Sequence, residues 1–208
     1  MEEKINQGLD DLYRINWVVA FLVFFNIGYY VYSAFPDHWN GWGGITAVGL
    51  DRAGALRADL VDQGEFWRLF ASLFLHSGLI HLTLNMLNLY ALGVLVQRLY
   101  GSIQLLFVYL TSGLLGSVFT WAMGTERTVG ASGAIFGLLG LLWLLGWKHQ
   151  KELQGEGGQL FRKQLAIWTL LSLGVGFLLP FIDNSAHLGG LTMGILLSMV
   201  LEPQKSKF

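Results

Sequence analysis

The chain has 208 residues, of which 53% are hydrophobic and only 13% are charged, and its formal net charge is −1 at pH 7. This composition is typical of a membrane protein rather than of a soluble core covered by a charged surface. The near-neutral charge gives no indication of a nucleic-acid partner. The sequence contains no cysteine, which excludes disulfides, thiolate metal sites and cysteine catalysis.

Six apolar stretches of about 20 residues or slightly fewer predict an all-α membrane protein with six transmembrane helices. The spans are predicted at about residues 15–35, 79–99, 103–123, 132–147, 165–181 and 186–201. No internal sequence repeat is evident, so an inverted-repeat transporter is not favoured. We interpret residues 1–208 as a single membrane domain.

The longest polar segment is the outer loop, residues 36–78, between the first and second spans. It is too long for a tight turn, so we expect an ordered loop with short helices. Its apolar part, residues 66–75, is interpreted as interfacial or re-entrant. Residues 148–163 are interpreted as a charged, glycine-rich loop, and residues 182–185 as a tight turn.

The distribution of lysine and arginine predicts the orientation in the membrane. With the N-terminus inside, nine basic residues fall in inner segments and four in outer segments, and basic residues favour the inner side. The inner set is Lys4, Arg14, Arg98, Lys148, Lys151, Arg162, Lys163, Lys205 and Lys207, and the outer set is Arg52, Arg57, Arg68 and Arg127. We therefore expect both termini to be cytoplasmic.

Polar residues near the outer ends of three spans fall at a similar depth. In the predicted topology, the second, fourth and sixth spans all run from outside to inside. His81 and Asn85 lie near the start of the second span, Ser132 opens the fourth, and His187 lies near the start of the sixth. Polar and ionisable residues inside spans are costly and usually functional, so we expect these residues to meet.

Together these residues provide the groups that acyl transfer needs. A serine nucleophile requires a base for its proton and hydrogen-bond donors for the oxyanion. His187 is the candidate base, and His81 and Asn85, spaced i and i+4, share one helix face. Ser132 lies at a predicted helix N-terminus, where free N–H groups and the helix dipole favour negative charge. His81, Asn85 and the Ser132 N–H are therefore the candidate oxyanion donors.

Small residues recur beside both candidate catalytic residues. The stripe consists of Gly133, Gly137 and Gly140 on the fourth span and Gly190, Gly194 and Ser198 on the sixth. Such faces allow membrane helices to approach closely. We expect this approach to bring Ser132 and His187 within hydrogen-bond reach. Phe136, one turn below Ser132, is expected to stack on the His187 ring.

Several features also have a structural interpretation. Gly130 to Gly133, taken alone, is more typical of helix packing than of catalysis. It lacks the last glycine of the α/β-hydrolase elbow and no strand precedes it, which excludes that fold. Asp183 is either a third triad member or, as we favour, the cap of the sixth helix. Asn88 is interpreted as making an interhelical hydrogen bond.

Two other kinds of site are not favoured. His76, His81 and His187 have no carboxylate at ligand spacing, so we expect no metal and no cofactor. A transporter or channel would need a polar path to the inner side, yet the inner halves of the spans are almost purely apolar residues and glycine.

With these residues in place, the chain resembles the rhomboid family of intramembrane serine proteases. Four motifs carry the resemblance: Glu65-x-Trp67-Arg68, His81-x-x-x-Asn85, Gly130-Ala131-Ser132-Gly133, and Ala186-His187-x-x-Gly190-x-x-x-Gly194. Each motif is weak alone, but all four in this order and at the expected depths are specific. The resemblance covers residues 65–194 by motif and all six spans by topology.

The resemblance implies a rhomboid-like bundle and a serine endopeptidase that cleaves single-span membrane proteins at or near the outer end of the span. It implies that Ser132 is the nucleophile and His187 the base, in a dyad without an acid. Asn85, His81 and the Ser132 N–H would form the oxyanion hole. The fifth span and residues 182–185 would form a movable gate and cap over the dyad.

The resemblance also assigns supporting residues. Glu65, Trp67 and Arg68 would anchor the outer loop at the lipid interface, and His76 lies upstream of the second span as in bacterial members. Phe136 stands where the family often has tyrosine. The alternative function is a catalytically inactive relative that binds membrane clients, although such relatives lose the serine or the histidine.

The minimal six-span form implies a bacterial plasma-membrane protein whose active site faces outside. The expected partners are transmembrane protein substrates and the lipid bilayer. The sequence specifies no oligomer, and we expect the monomer to be active.

Overall fold

The computed structural model of the chain describes residues 17–35, 39, 44–150, 155–178 and 182–204. Within these ranges it is helical, and its β-pairing is confined to isolated bridges. The α-helices are α1 Trp17–Ala34, α2 Ala47–Arg52, α3 Ala58–Asp62, α4 Arg68–Ala71, α5 Leu79–Tyr100, α6 Ser102–Ala122, α7 Ser132–Lys148, α8 Glu156–Leu178 and α9 Asn184–Val200. A 3₁₀ helix, Ser72–Phe74, follows α4. The all-α prediction is confirmed.

Six long helices, α1 and α5 to α9, lie where the six spans are predicted. Three of them, α1, α5 and α6, are long and apolar enough to cross a membrane by length and composition. Helix α7 is apolar but has only 17 residues. The first two residues of the predicted first span, the last three of the fifth and both termini lie outside the described residues.

Helix α8 begins at Glu156, and not at the predicted Leu165. The interpretation of residues 156–163 as part of a loop was therefore wrong. Hydropathy indicates which part of a helix is suited to lipid, whereas the helix itself continues through polar residues that water can solvate. Helix α9 likewise begins at Asn184, so residues 184 and 185 belong to a helix rather than to a turn.

Helix α7 is the central helix of the bundle. Most of its residues are buried, and it packs against α5, α6, α8 and α9. Its glycines leave room for these neighbours. A Cβ on Gly137 would overlap the Ser112 side chain of α6, and a Cβ on Gly140 would overlap the Leu191 carbonyl oxygen of α9. Small residues at such interfaces let membrane helices make close van der Waals contact.

Arg68 stabilises the outer loop from within. Its side chain is buried and donates hydrogen bonds to Glu65 Oε2 at 2.7 Å and to the carbonyl oxygens of Asp51 at 2.7 Å and Ala55 at 3.0 Å. These bonds hold Arg68 inside the loop, and the prediction that Glu65, Trp67 and Arg68 anchor the loop at the lipid interface stays a prediction. Trp67 is exposed, and the Arg68 guanidinium lies 4.7 Å from the centre of its ring.

The outer loop is joined to the segment that precedes α7. Leu56 and Thr128 exchange two backbone hydrogen bonds of 3.0 and 2.9 Å. The N–H of Gly130 donates to the carbonyl oxygen of Ser72 at 2.9 Å. These contacts fix the backbone immediately before Ser132.

An ion-pair cluster reinforces this junction at the surface. Both carboxylate oxygens of Asp51 accept hydrogen bonds from Arg127, at 2.7 and 2.8 Å. Arg57 also pairs with Asp51, at 2.9 Å. The hydrogen bond from Arg127 is the main reason that the pKa of Asp51 lies below its usual value, and Arg57 lowers that pKa further. Asp51 is therefore ionised at neutral pH and links two loops.

Candidate active site

Ser132 is the first residue of α7, and the turn before it requires glycine. Gly130 has φ +129°, in the region that favours glycine. A Cβ at Gly130 would also lie 2.8 Å from Cε1 and Nε2 of His81. Ile135 N–H donates to the Ala131 carbonyl oxygen at 3.0 Å. The N–H groups before Ile135, including that of Ser132, therefore lie in the first turn, where intrahelical acceptors are lacking.

His187 lies in the first turn of α9 and is only 6% exposed. Its ring stacks on Phe136, with the ring centres 4.2 Å apart and the planes 13° from parallel. The predicted stacking is confirmed. Among the residues that the structure describes, the buried Nδ1 of His187 has no hydrogen-bond partner. The stack restricts the orientation of the ring without any hydrogen bond at Nδ1.

Helices α7 and α9 approach to backbone contact beside these two residues. A Cβ would overlap a facing carbonyl oxygen at two positions: Gly190 against Gly133, and Gly194 against Gly137. A Cβ on Gly133 would lie 3.2 Å from the carbonyl oxygen of Ala186. Gly133 follows Ser132 in the chain, and Ala186 precedes His187. The contact between Gly133 and Ala186 therefore brings Ser132 and His187 close to each other. The described residues show no hydrogen bond between Ser132 Oγ and His187. That bond therefore stays a prediction.

His81 and Asn85 lie on the face of α5 that is turned towards the start of α7. The His81 ring lies against Gly130, and Asn85 Nδ2 would be 3.7 Å from a Cβ at that glycine. Asn85 Nδ2 donates to the His81 carbonyl oxygen at 3.1 Å. His81 Nδ1 and Ser77 Oγ share a hydrogen bond of 3.2 Å. The structure therefore brings two polar side chains to the turn that leads into Ser132.

His76 is fully buried behind His81. The two rings make an edge-on contact, with centres 5.1 Å apart and planes at 62°, and His76 Nδ1 lies 3.2 Å from the Phe74 carbonyl oxygen. Burial, with a smaller effect of His81, lowers the pKa of His76 to about 3. His76 is therefore neutral at physiological pH. In the described part of the chain, histidine and carboxylate side chains form no group of three that could bind a metal ion.

Asp183 is the N-cap of α9. Its Oδ1 accepts hydrogen bonds from the N–H groups of Ser185 at 2.9 Å and Ala186 at 3.4 Å. The prediction that it caps this helix is confirmed. The carboxylate makes no hydrogen bond to the His187 ring, although both residues are described. The geometry is therefore that of a cap and not that of a triad member.

Two asparagines make contacts that the sequence did not predict. Asn88 Nδ2 donates to the Leu84 carbonyl oxygen of its own helix at 2.8 Å, so the predicted interhelical bond was wrong. Among the described residues, Asn88 makes no other side-chain hydrogen bond. Asn184 Nδ2 donates to the Leu173 carbonyl oxygen of α8 at 3.4 Å, and its amide lies where a Cβ of Gly176 would be. Asn184 therefore joins the start of α9 to α8.

Comparison with known proteins identifies relatives of the chain. A family model described as the Rhomboid domain matches residues 63–204, which include every candidate site residue. The chain is 38% identical over 148 residues to the Rhomboid protease GluP of Bacillus subtilis (strain 168), covering 71% of this chain and 28% of the relative. It is 40% identical over 160 residues to RHOMBOID-like protein 5 of Arabidopsis thaliana, covering 73% and 49%.

A third relative extends the match. RHOMBOID-like protein 6, mitochondrial, of Arabidopsis thaliana is 35% identical over 186 residues, covering 83% of this chain and 57% of the relative. The chain thus spans between 28% and 57% of the length of these three relatives.

Proposed function

Because the chain belongs to the rhomboid family, we propose that it is an intramembrane serine endopeptidase with Ser132 as nucleophile and His187 as base. The family and the apolar helices make it an integral membrane protein. The observation that carries the proposal is the backbone contact between α7 and α9. That contact places the first residue of α7 beside the segment of α9 that contains His187.

The proposed reaction uses the four polar groups in turn. His187 takes the proton of the Ser132 hydroxyl as the oxygen attacks the scissile carbonyl carbon. The Ser132 N–H, His81 and Asn85 stabilise the oxyanion of the tetrahedral intermediate. His187 then gives the proton to the leaving amine, and water hydrolyses the acyl-enzyme by the same steps. The stack on Phe136 restrains the ring throughout, which is the support that a dyad without an acid needs.

The proposed substrates are single-span membrane proteins, cleaved at or near the outer end of the span. Ser132 opens α7 on the side where the outer loop packs, since Gly130 bonds to Ser72 of that loop. With the predicted orientation, this side faces outside and both termini are cytoplasmic. We propose the bacterial plasma membrane as its location, and the monomer as the active form, because all the residues of the site belong to one chain.

The test is cleavage of a single-span reporter protein by the purified protein in liposomes. The wild type and Ser198→Ala, which removes a buried hydroxyl near the far end of α9, should both cleave the reporter. Ser132→Ala and His187→Ala should not. Cleavage by Ser132→Ala at the wild-type rate would overturn the dyad. Binding of the reporter by the wild type without cleavage would favour the inactive alternative.

The oxyanion assignment has a matched test on α5. Asn85→Ala should lower kcat by roughly ten- to a thousandfold, because one donor to the developing charge is lost. Asn88→Ala removes the same amide from the same helix, where it bonds only to the Leu84 carbonyl, and should leave kcat unchanged. Equal rates for both variants would make Asn85 a structural residue.

A further inference from the structure

The carboxylate of Asp183 accepts hydrogen bonds from three separate segments of the chain. Its Oδ1 accepts from the N–H groups of Ser185 and Ala186 in the first turn of α9. Its Oδ2 accepts from the hydroxyl of Thr120, in the last turn of α6, and from the hydroxyl of Thr128 at 2.8 Å. One half-buried side chain therefore joins the end of α6, the segment before α7 and the start of α9.

The segment that contains Thr128 is itself fixed. Its backbone exchanges two hydrogen bonds with Leu56 of the outer loop, and Gly130 bonds to Ser72. Thr128 is four residues before Ser132, and Asp183 is four residues before His187. The bond between Thr128 and Asp183 is thus a direct link between the backbone that presents the serine and the helix that presents the histidine.

This link is suited to setting the position of α9 along α7. Hydrogen bonds to a carboxylate are about twice as strong as neutral ones, and the glycine contacts between the helices fix their separation more than their axial position. A helix N-terminus also favours the negative charge of its cap. The four donors occupy both oxygens of the carboxylate, which makes no bond to the His187 ring. Asp183 can therefore position the helix without a hydrogen bond to the base.

We propose that Asp183, Thr120 and Thr128 are positioning residues of the reaction, which align His187 with Ser132 by joining α9 to the end of α6 and to the segment before α7. The inference rests on the proposed function. It differs from a triad because these residues bond to α6, to the segment before α7 and to the start of α9, and make no hydrogen bond to the imidazole.

The test is the rate at which a fluorophosphonate inactivates the purified protein, measured from pH 5 to 9 together with the thermal unfolding midpoint. Thr128→Val should slow inactivation about tenfold, the equivalent of one hydrogen bond to a charged group. The pH at half-maximal rate should not move. Thr128→Ser, which restores the hydroxyl, should recover most of the rate. Asp183→Asn keeps an oxygen for the helix cap, and its amide can donate to the Thr120 and Thr128 hydroxyls, so it should slow inactivation no more than Thr128→Val does.

Thr111→Val is the matched control, because the Thr111 hydroxyl bonds only to carbonyl oxygens of its own helix, α6. It should react at the wild-type rate. Thr120→Val removes the hydroxyl by which α6 bonds to Asp183, and it should slow inactivation in the same way. If Thr128→Val does not fold, the rate of Thr120→Val is the test. Wild-type rates in folded Thr128→Val or Thr120→Val, or no recovery in Thr128→Ser, would overturn the positioning role.

Two results separate this inference from its premise. A wild-type protein that neither cleaves the reporter nor reacts with the fluorophosphonate would overturn the proposed function itself. A wild type that reacts while Asp183→Asn is as slow as His187→Ala, with a shifted pH profile, would overturn positioning in favour of a triad.

Discussion

Helices α9 and α8 both pack against α7, but they do so in different ways. Helix α9 meets α7 through glycines, so that main-chain atoms of the two helices are in contact. Helix α8 buries only Leu165 and Gly176 among its described residues. Its exposed large side chains include Leu170, Leu171, Phe177 and Leu178.

The difference shows which part of the site is rigid. A contact between two backbones cannot adapt by a change of rotamer, whereas contacts through side chains can. Ser132 and His187 both lie on the backbone-close pair. The movable element that the family resemblance implies is α8, the loosely packed helix. That gate stays a prediction, and the contrast between the two interfaces makes it testable.

The largest expected effect is that of a side chain at the backbone contact. In Gly190→Val, the new side chain would overlap the Gly133 carbonyl oxygen and force α7 and α9 apart. We expect a loss of reporter cleavage of roughly a hundredfold or more, since overpacking of about 3 kcal/mol corresponds to such a factor. Gly28→Val on α1 is the control, because a Cβ there meets nothing within 4 Å. A folded Gly190→Val protein with normal activity would refute the rigid pair.

A smaller effect is expected at the other side of the same contact. A Cβ on Gly133 would lie 3.2 Å from the Ala186 carbonyl oxygen, which requires a shift of only a few tenths of an ångström. Gly133→Ala should therefore reduce cleavage by roughly threefold to tenfold, less than Gly190→Ala in the same assay. The reverse order of the two alanine variants would show that another contact sets the helix separation.

The corresponding change on α8 should be nearly neutral. A Cβ on Gly176 would meet the amide of Asn184, which is a side chain that can rotate, and not a backbone. Alanine is also about 1 kcal/mol more favourable than glycine inside a helix. Gly176→Ala should thus change the rate of cleavage by less than about twofold. It should change the thermal midpoint by no more than about a few degrees. A loss as large as that of Gly190→Ala would mean that α8 is as rigid as α9.

The last expected effect is on stability rather than on activity, and it concerns the outer loop. The folded pKa of Asp51 is lowered, chiefly by Arg127, so its ion pairs stabilise the fold above the unfolded aspartate pKa of about 3.8. That stabilisation is lost as the pH falls through the lower folded pKa. Asp51→Asn should cost about 1 kcal/mol at pH 7, because the pairs are partly exposed. The difference between the two thermal midpoints should shrink towards pH 3, and a difference independent of pH would contradict the assignment.

The sequence was a good guide to the helices inside the apolar region and a poor one to their polar ends. Helices α5, α6 and α7 begin and end within one residue of the predicted bounds, because their apolar runs stop at polar or glycine residues. The start of α8 at Glu156 was missed because its first two turns contain charged residues and glycine, which hydropathy assigns to a loop. Hydropathy measures the preference of a segment for lipid, and this preference ends before the helix does.

The sequence predicted those parts of the candidate site that depend on the depth of a residue in its span and on the helix face that carries it. Gly130 lies against His81, and Gly133 lies against Ala186, as expected if the spans alternate in direction and the predicted site residues lie near one end of them. The direction of an individual side chain depends on the neighbouring helix, which one sequence does not reveal. For that reason the hydrogen bond of Asn88 was misinterpreted, and both the contacts of Arg68 inside the loop and the hydroxyls that bind Asp183 were missed.

The most direct measurement is fluorophosphonate labelling of the purified protein, with the modified residue located by mass spectrometry. The account predicts one adduct, on Ser132 of the wild type, with no adduct in Ser132→Ala and greatly slowed labelling in folded His187→Ala. An adduct on a different serine, or labelling of Ser132→Ala at the wild-type rate, would contradict the proposal that Ser132 and His187 form the catalytic dyad.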